Sequence, residues 1–312
     1  MRLLSLVLTA LLAGCATPPP PVSTLYDYHL QSGDTPISLM DAARRLEGAD
    51  IVLVGELHSH PAVHLLQARL LAELTRGPRP LALSMEQFSR ADQAVVDAYL
   101  AGRIGESALM RDGHAWPNYS SDYRPLVEFA KANHLPVIAA NAPKGLVSCI
   151  GEQGPEWLDT LPTNHRHLVA AHLTLKDDDY RRSFMASMHH GDNDSNARRF
   201  AAQTAWDDTM AESMVAYLAA HPGRRIMHIA GNFHVEGGLG LASRIAARNP
   251  DLKVALVVPV TAPAKPTGGR SADIEVHLAP LPERWKNREE MKLDMASLRQ
   301  ARGRDCQHWQ QP

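Results

Sequence analysis

Three apolar runs, each stopping at a carboxylate or an imidazole, constrain this chain more than any other feature. They are Ile51-Val-Leu-Val-Gly-Glu-Leu-His58, Leu81-Ala-Leu-Ser-Met-Glu-Gln87 and Arg225-Ile-Met-His-Ile-Ala-Gly-Asn-Phe-His234. Short apolar runs followed by helix-period pattern mark strands buried on both faces of a parallel sheet. Such sheets bind ligands beyond the carboxyl ends of their strands. Glu56, His58, Glu86 and His234 are therefore expected to converge on one cleft, fit either for chemistry or for ligand binding.

The remaining pattern suits an α/β fold, a mostly parallel sheet flanked by helices, with a smaller helical subdomain inserted. Strands are expected at 51–54, 81–85, 136–140, 226–230 and 254–258. Helices are expected at 38–46, 61–77, 89–101, 123–133, 196–220 and 239–248. The helix after His60-Pro61 has proline at its first position and apolar residues at Val63, Leu66, Leu70, Leu71 and Leu74 in helical spacing. Residues 153–192 break the alternation; they are rich in His, Met and charge and carry no strand pattern. This gives an α/β core over 25–152 and 193–260, a helical subdomain over 153–192, and a Pro/Gly-rich then charged peripheral tail over 261–312.

The amino terminus bears on location. Met-Arg, an apolar stretch from Leu3 to Leu12, and Ala-Gly-Cys15 read as a signal peptide over 1–14, too short to remain as a membrane-spanning helix. Leu12-Ala-Gly-Cys15 resembles a bacterial lipobox, with Cys15 lipidated, and the prolines of 15–24 form a stiff tether. Ala16, rather than Asp, follows the cysteine, which by the same resemblance favours the outer membrane with the domain in the periplasm. Removing residues 1–14 takes one Arg and moves the net charge from −2 to −3. A nearly neutral domain without a basic stretch argues against nucleic acid. Cys149 and Cys306 are the remaining thiols; whether they pair is left open by spacing alone.

The motifs Val54-Gly-Glu-Leu-His58, Met85-Glu-Gln87, Tyr123-Arg-Pro-Leu-Val-Glu-Phe-Ala130, Val137-Ile-Ala-Ala-Asn141 and Ala230-Gly-Asn-Phe-His234, in that order, resemble the ChaN-like family of haem-binding lipoproteins over most of 45–260. The resemblance implies an α/β core with a helical domain, a role in haem or iron uptake, and haem held between two protomers with Tyr as iron ligand and His nearby. The core also looks like a wider superfamily of erythromycin-esterase-like hydrolases and Tiki/TraB-type proteins. There, similar Glu and His positions belong to a catalytic or metal site.

Two groups of residues carry these expectations. Glu56, His58, Glu86 and His234 could act as general base and acid or hold a cation; this makes a hydrolase the alternative function. His60 and His64 have the i, i+4 spacing of a two-His metal face but are read as a helix cap and a solvated side chain. For haem, Tyr180, Arg181, Met188, His189 and His190 gather a phenol, a propionate partner, a thioether and two imidazoles in about three helical turns. Tyr180, the only tyrosine between 124 and 216, is the first choice for the iron ligand, although Phe184, Met185 and Met188 also suit the buried stripe of an ordinary helix. His165, His167 and His172 are read as solvated. Phe200, Gln203, Trp206, Asp207 and Met210 share a face of the long helix, where Asp207 or Asp208 could orient an imidazole. A homodimer is expected on haem binding, since one helical flap covers one face of a porphyrin. There is no Cys-x-x-Cys-His, no Gly-rich phosphate loop, no Gly-x-Ser-x-Gly and no spaced Cys/His finger.

Overall fold

A computed structural model describes residues 24–188, 192–261, 268–300 and 306–311. The leader, Cys15, nearly all of the tether, His189 and His190 lie outside the described residues.

The chain enters through a hairpin, β1 (Tyr28–Ser32) and β2 (Thr35–Ile37), then α1 (Leu39–Arg45) and β3 (Ile51–Glu56). Helix α1 is started by a capping box in which Ser38 and Asp41 satisfy each other's backbone amides. Next come α2 (Pro61–Thr75), β4 (Leu81–Ser89), α3 (Gln93–Leu100), α4 (Glu106–Asp112), α5 (Arg124–Ala132) and β5 (Val137–Asn141). A helical stretch follows: α6 (Lys144–Gln153), α7 (Thr163–Arg166), α8 (Asp179–Ser187) and the long α9 (Asn193–Ala220). The chain then makes β6 (Arg225–Gly231), α10 (Asn232–Val235), α11 (Leu241–Arg248), β7 (Val254–Thr261), β8 (Ile274–Leu278) and α12 (Arg288–Gln300).

The eight strands form one sheet in the order β2-β1-β8-β7-β3-β6-β4-β5. Six of them are parallel, and only the β1–β2 and β1–β8 pairings are antiparallel. The expected mostly parallel α/β sheet is present. Because successive strand residues face opposite ways, Val52 and Val54 join Leu66, Leu70, Met85 and Ile229 in one core. Ile51 and Leu53 join Met210, Met214, Leu241 and Ile245 in the other, under α9 and α11. The whole of β3, β5 and β6 is buried, as the uninterrupted apolar runs require.

Between β5 and β6 no described residue is in a strand. Leu146, Val147 and Ile150 of α6 pack with Trp157, Leu158, Leu168 and Val169 onto Ala201 and Ala205 of α9. The tail departs from expectation: β8 is an inner strand with Ile274, Val276 and Leu278 buried, so residues 274–278 are sheet rather than periphery. Cys149 and Cys306 are joined in a disulfide. Among the described residues no helix is long and apolar enough to cross a membrane.

Candidate functional site

Strands β3, β4 and β6 lie side by side, and their carboxyl ends deliver Glu56, Glu86 and Gly231 to one edge. The loop after β3 adds His58, and α10, which begins at the end of β6, adds Asn232, Phe233 and His234. The four residues marked from sequence are therefore brought together. Glu56, His58 and His234 line a cavity of about 380 Å³, together with Leu57, Phe184, Ser187 and Gln203, while Glu86 stands behind it against His234. The helical stretch thus supplies a wall of the same cavity: the carboxylate–imidazole cluster and the Phe184 helix form one site.

Glu56 is fully buried and is an acceptor for four groups. Its Oε1 receives His58 Nδ1–H at 2.8 Å, the Tyr123 hydroxyl at 2.7 Å and Gln87 Nε2 at 3.3 Å, and its Oε2 receives Gln67 Nε2 at 2.8 Å. A carboxylate saturated in this way orients its neighbours and is poorly placed to abstract a proton. The Tyr123 phenol is pushed up by burial and by the adjoining Glu56 charge, so it stays protonated and donates. His64 is not solvated either: it is buried, donates from Nδ1 to Gln67 Oε1 at 2.9 Å and has Nε2 3.3 Å from Asp122. His60 is buried and donates from Nε2 to the Ala279 carbonyl at 2.8 Å. The two histidines therefore do not share a ligand, and among the described residues no group of three or more His, Cys, Asp or Glu is arranged to hold a metal ion.

A second imidazole is backed in the same manner. His234 donates from Nδ1 to Asp207 Oδ1 at 2.8 Å, while its Nε2 lies 3.6 Å from Glu86 Oε1. Glu86 Oε2 accepts the Gly231 backbone N–H at 2.6 Å. Burial alone would lower the His234 pKa, but the Asp207 and Glu86 charges outweigh it and raise the ring to about 10. Burial would likewise raise Glu86, yet the facing His234 holds its carboxyl down at about 2. The two form a buried ion pair. His58 is also raised, first by its hydrogen bond to Glu56, against the opposing effect of burial. Beneath them His228, fully buried on β6 and hydrogen-bonded to Ser84, is pushed down by burial to about 3 and stays neutral.

Gly231 is required by close approach. A Cβ built there would come 2.9 Å from His58 Nε2 and 3.7 Å from Glu86 Oε2. The absent side chain keeps open the space between the two.

Tyr180 is placed differently from expectation. It is buried, its hydroxyl donates to Asp207 Oδ2 at 2.6 Å, and it packs with Phe184 and Phe200. Burial and the Asp207 charge raise its pKa well above the ordinary value. It stands behind His234, with a phenol already committed to a carboxylate, and does not offer a phenolate at the surface. Phe184, Met185 and Met188 do form the packed stripe of α8. Arg181 is half-buried with its guanidinium over the Phe200 ring. His165 binds the Trp309 carbonyl and His167 the Thr163 carbonyl, and neither lines the cavity. Asp208 turns from the site to Thr174 and Arg248, leaving Asp207 as the orienting acid. Gln67 carries no mark in the sequence, and Gln87, Gln203 and Phe233, though they stand in the quoted motifs or on the shared face of the long helix, carry no sign there of a role in the site.

No curated protein matches the chain in sequence. Among solved structures it resembles the ChaN protein of Campylobacter jejuni, whose description is cofacial haem binding. That match has a TM-score of 0.61 and 15% identity, over 83% of this chain and 100% of that one. A mutant erythromycin esterase in its open conformation also matches, with a TM-score of 0.43 and 13% identity, over 81% of this chain and 82% of that one. Residues 42–245 match the family described as haem-binding uptake, Tiki superfamily, ChaN, and the chain belongs to that family.

Proposed function

We propose that this protein binds haem in the cavity between the β3 and β6 strand ends and helix α8, and serves haem or iron uptake. The carrying observation is the lining itself. Phe184, Phe233 and Leu57 offer apolar faces to a flat macrocycle, while His58, Gln203 and Asn232 bring nitrogen and amide groups to the same space. That donor set fits haem, whose iron accepts imidazole and whose ring prefers apolar and aromatic contact. Arg181, on the same helix as Phe184 with its guanidinium over the Phe200 ring, would be the partner of a propionate. When bound, haem would supply an iron centre, and Phe184, Phe233, His58, Gln203 and Asn232 would hold it.

We also propose a homodimer on haem binding, in which two copies would cover the two faces of a porphyrin that one helical layer cannot. The cofacial arrangement described for the Campylobacter jejuni protein supports the same reading. We further place the protein at the outer membrane, held by a lipid on Cys15 with the domain in the periplasm. The disulfide between Cys149 and Cys306 supports an oxidising compartment.

The test is titration of the apo-protein with hemin, followed by absorption and by size-exclusion chromatography. A saturable Soret shift with a move to dimer mass is expected, and both should weaken in Phe233→Asp. No Soret shift would reject the reading.

One observation favours a hydrolytic second reading: Glu86 lies beside His234, near His58, and each imidazole has a buried carboxylate behind it. Such an arrangement can relay protons at an ester or amide. It predicts turnover abolished by Glu86→Gln in the haem-free protein; absence of turnover across ester and peptide panels would count against it.

A further inference from the structure

We propose that the corner of the sheet at which the tether meets the domain docks on the phospholipid bilayer that carries the lipid anchor, with Leu25, Tyr26, Met40 and Leu281 entering the interface. The inference rests on the Cys15 anchor proposed above and adds an orientation to it.

Strand directions bring these four side chains to one edge. β8 is parallel to β7 and β7 to β3, so β8 ends at the edge that carries Glu56. β1 is antiparallel to β8, with Tyr28 opposite Leu278, and therefore starts there. β2 is antiparallel to β1, with Ile37 opposite Leu30, and ends there. Leu25 and Tyr26 stand just before β1, Met40 just after β2 and Leu281 just after β8. Two hydrogen bonds tie these segments to the start of α2: the Ala62 N–H donates to the Leu25 carbonyl at 3.1 Å, and His60 Nε2 to the Ala279 carbonyl at 2.8 Å. Six large apolar side chains are exposed among the described residues, and these are four of them, with Tyr26 at 65% and Met40 at 56%. Single exposed apolar residues are ordinary, but a group gathered at one corner marks a surface that something covers.

The length and position of the tether select the bilayer. Thr24 is nine residues beyond Cys15, so even a fully extended chain keeps the corner within about 32 Å of the anchored residue. Tyrosine suits the headgroup level, with its ring in the apolar layer and its hydroxyl in water. Beside Tyr26 runs a groove of about 330 Å³, lined also by Tyr28, His29, Leu39 and Arg69. Arg69 is exposed and has no ion pair among the described residues, which leaves its guanidinium for a lipid phosphate. The groove's one carboxylate, Asp27, accepts the Thr24 N–H and hydroxyl at 2.8 and 3.0 Å. The haem cavity lies at this same edge, three strand spacings or about 14 Å from β1. Docking would hold it beside the bilayer rather than at the tether's full reach.

The test uses the lipidated full chain reconstituted in vesicles of phosphatidylethanolamine and phosphatidylglycerol that carry a headgroup nitroxide. A fluorophore is attached through Glu283→Cys, just beyond Leu281, or through Asp251→Cys, before β7 at the opposite edge. Cys149 and Cys306 are joined and do not compete for the label. Quenching is expected at 283 and not at 251, which lies a strand length or about 20 Å further off. Leu25→Ser/Tyr26→Ser/Met40→Ser should lower the docked-to-free ratio at least about tenfold while the chain still floats with the vesicles, and Arg69→Ala about fivefold. Leu175→Ser, at an exposed leucine in the stretch before α8, should change nothing. Equal quenching at the two positions, or quenching at 283 that the triple variant keeps, overturns the docking. So does a dimer of the haem-free protein in detergent that the triple variant dissociates, since a second copy would then cover the corner. Circular dichroism screens for folding, and Tyr26→Ser alone serves if the triple variant fails it. A wild-type chain that does not float removes the anchor itself, and the docking with it.

Discussion

His234 Nε2 lies 3.6 Å from Glu86 Oε1, and the same ring donates from Nδ1 to Asp207 across 2.8 Å. One imidazolium thus serves two buried carboxylates on opposite sides, coupling the end of β4 to the middle of α9. Replacing it by Ala leaves both acids buried and uncompensated, which costs about 3–5 kcal/mol. Urea unfolding of His234→Ala should show a loss of that size. A loss below about 1 kcal/mol would mean that the pair contributes little to holding α9 against the sheet.

The pair also sets a pH window. Glu86 is held at about 2 against an ordinary 4.5, so its contribution is present above about pH 4.5 and is lost as pH falls through about 2. His234 is raised to about 10 from 6.5, so its contribution is complete below about pH 6.5 and is lost as pH rises through about 10. Both operate fully between those inner limits. Unfolding free energy measured across this range should decline on each side, and the alkaline decline should flatten in His234→Ala.

The space beside Gly231 gives a third expectation. In Gly231→Ala the new Cβ meets His58 Nε2 at 2.9 Å, so the ring must shift off its Glu56 hydrogen bond or the backbone must yield. Overpacking of this kind costs about 1–3 kcal/mol, and hemin affinity should fall with it. Gly48→Ala is the control: its Cβ would meet nothing within 4 Å, and a change within about 0.5 kcal/mol is expected. Equal hemin affinity in the two variants would show that the flank of His58 is not part of the site.

Legibility in the sequence followed burial. Strands β3, β4 and β6 were readable because both faces are covered, so their apolar residues run without interruption, and the strand-end rule then placed Glu56, His58, Glu86 and His234 at one edge. β8 was not readable. Ile274-Glu-Val-His-Leu278 alternates over only five residues, within a Pro/Gly-rich and charged tail, and its half-exposed face hides the signal. The second layer of the site was harder still. Gln67, Gln87 and Tyr123 reach Glu56 from α2, β4 and the turn before α5, through contacts that no local spacing encodes. Tyr180 shows the limit of periodicity: it shares a face with Phe184, but only the position of Asp207 decides that this face turns inward.

That inward turn is itself testable. Tyr180→Phe removes the donor to Asp207 Oδ2 and leaves an acceptor buried, for which about 1–3 kcal/mol is expected. Gln203 Nε2 lies 3.5 Å from the same oxygen and can recover part of the loss by a small rotation. A double-mutant cycle with Gln203→Leu should therefore be non-additive, with the double variant losing more than the two single losses combined. Strict additivity would show that Gln203 does not compensate.

The disulfide ties the carboxyl-terminal segment to the helical layer, not to the site. Cys149 lies in α6 and Cys306 is 157 residues further on, while Trp309 packs over Gly145 and its carbonyl accepts from His165 at 2.8 Å. Cross-linking so long a loop restricts the unfolded chain, and its loss costs about 2–4 kcal/mol. Cys306→Ser should lower the unfolding midpoint accordingly and expose the chain after α12 to limited proteolysis. The cavity should survive, because its lining comes from the β3 and β6 ends, α8, α9 and α10, which the bond does not touch. Hemin titration of Cys306→Ser is therefore expected to match the wild type at a temperature where both are folded. A fall in affinity there would show that the α6 layer and the cavity are coupled through α9, on whose length Ala201 and Asp207 both lie.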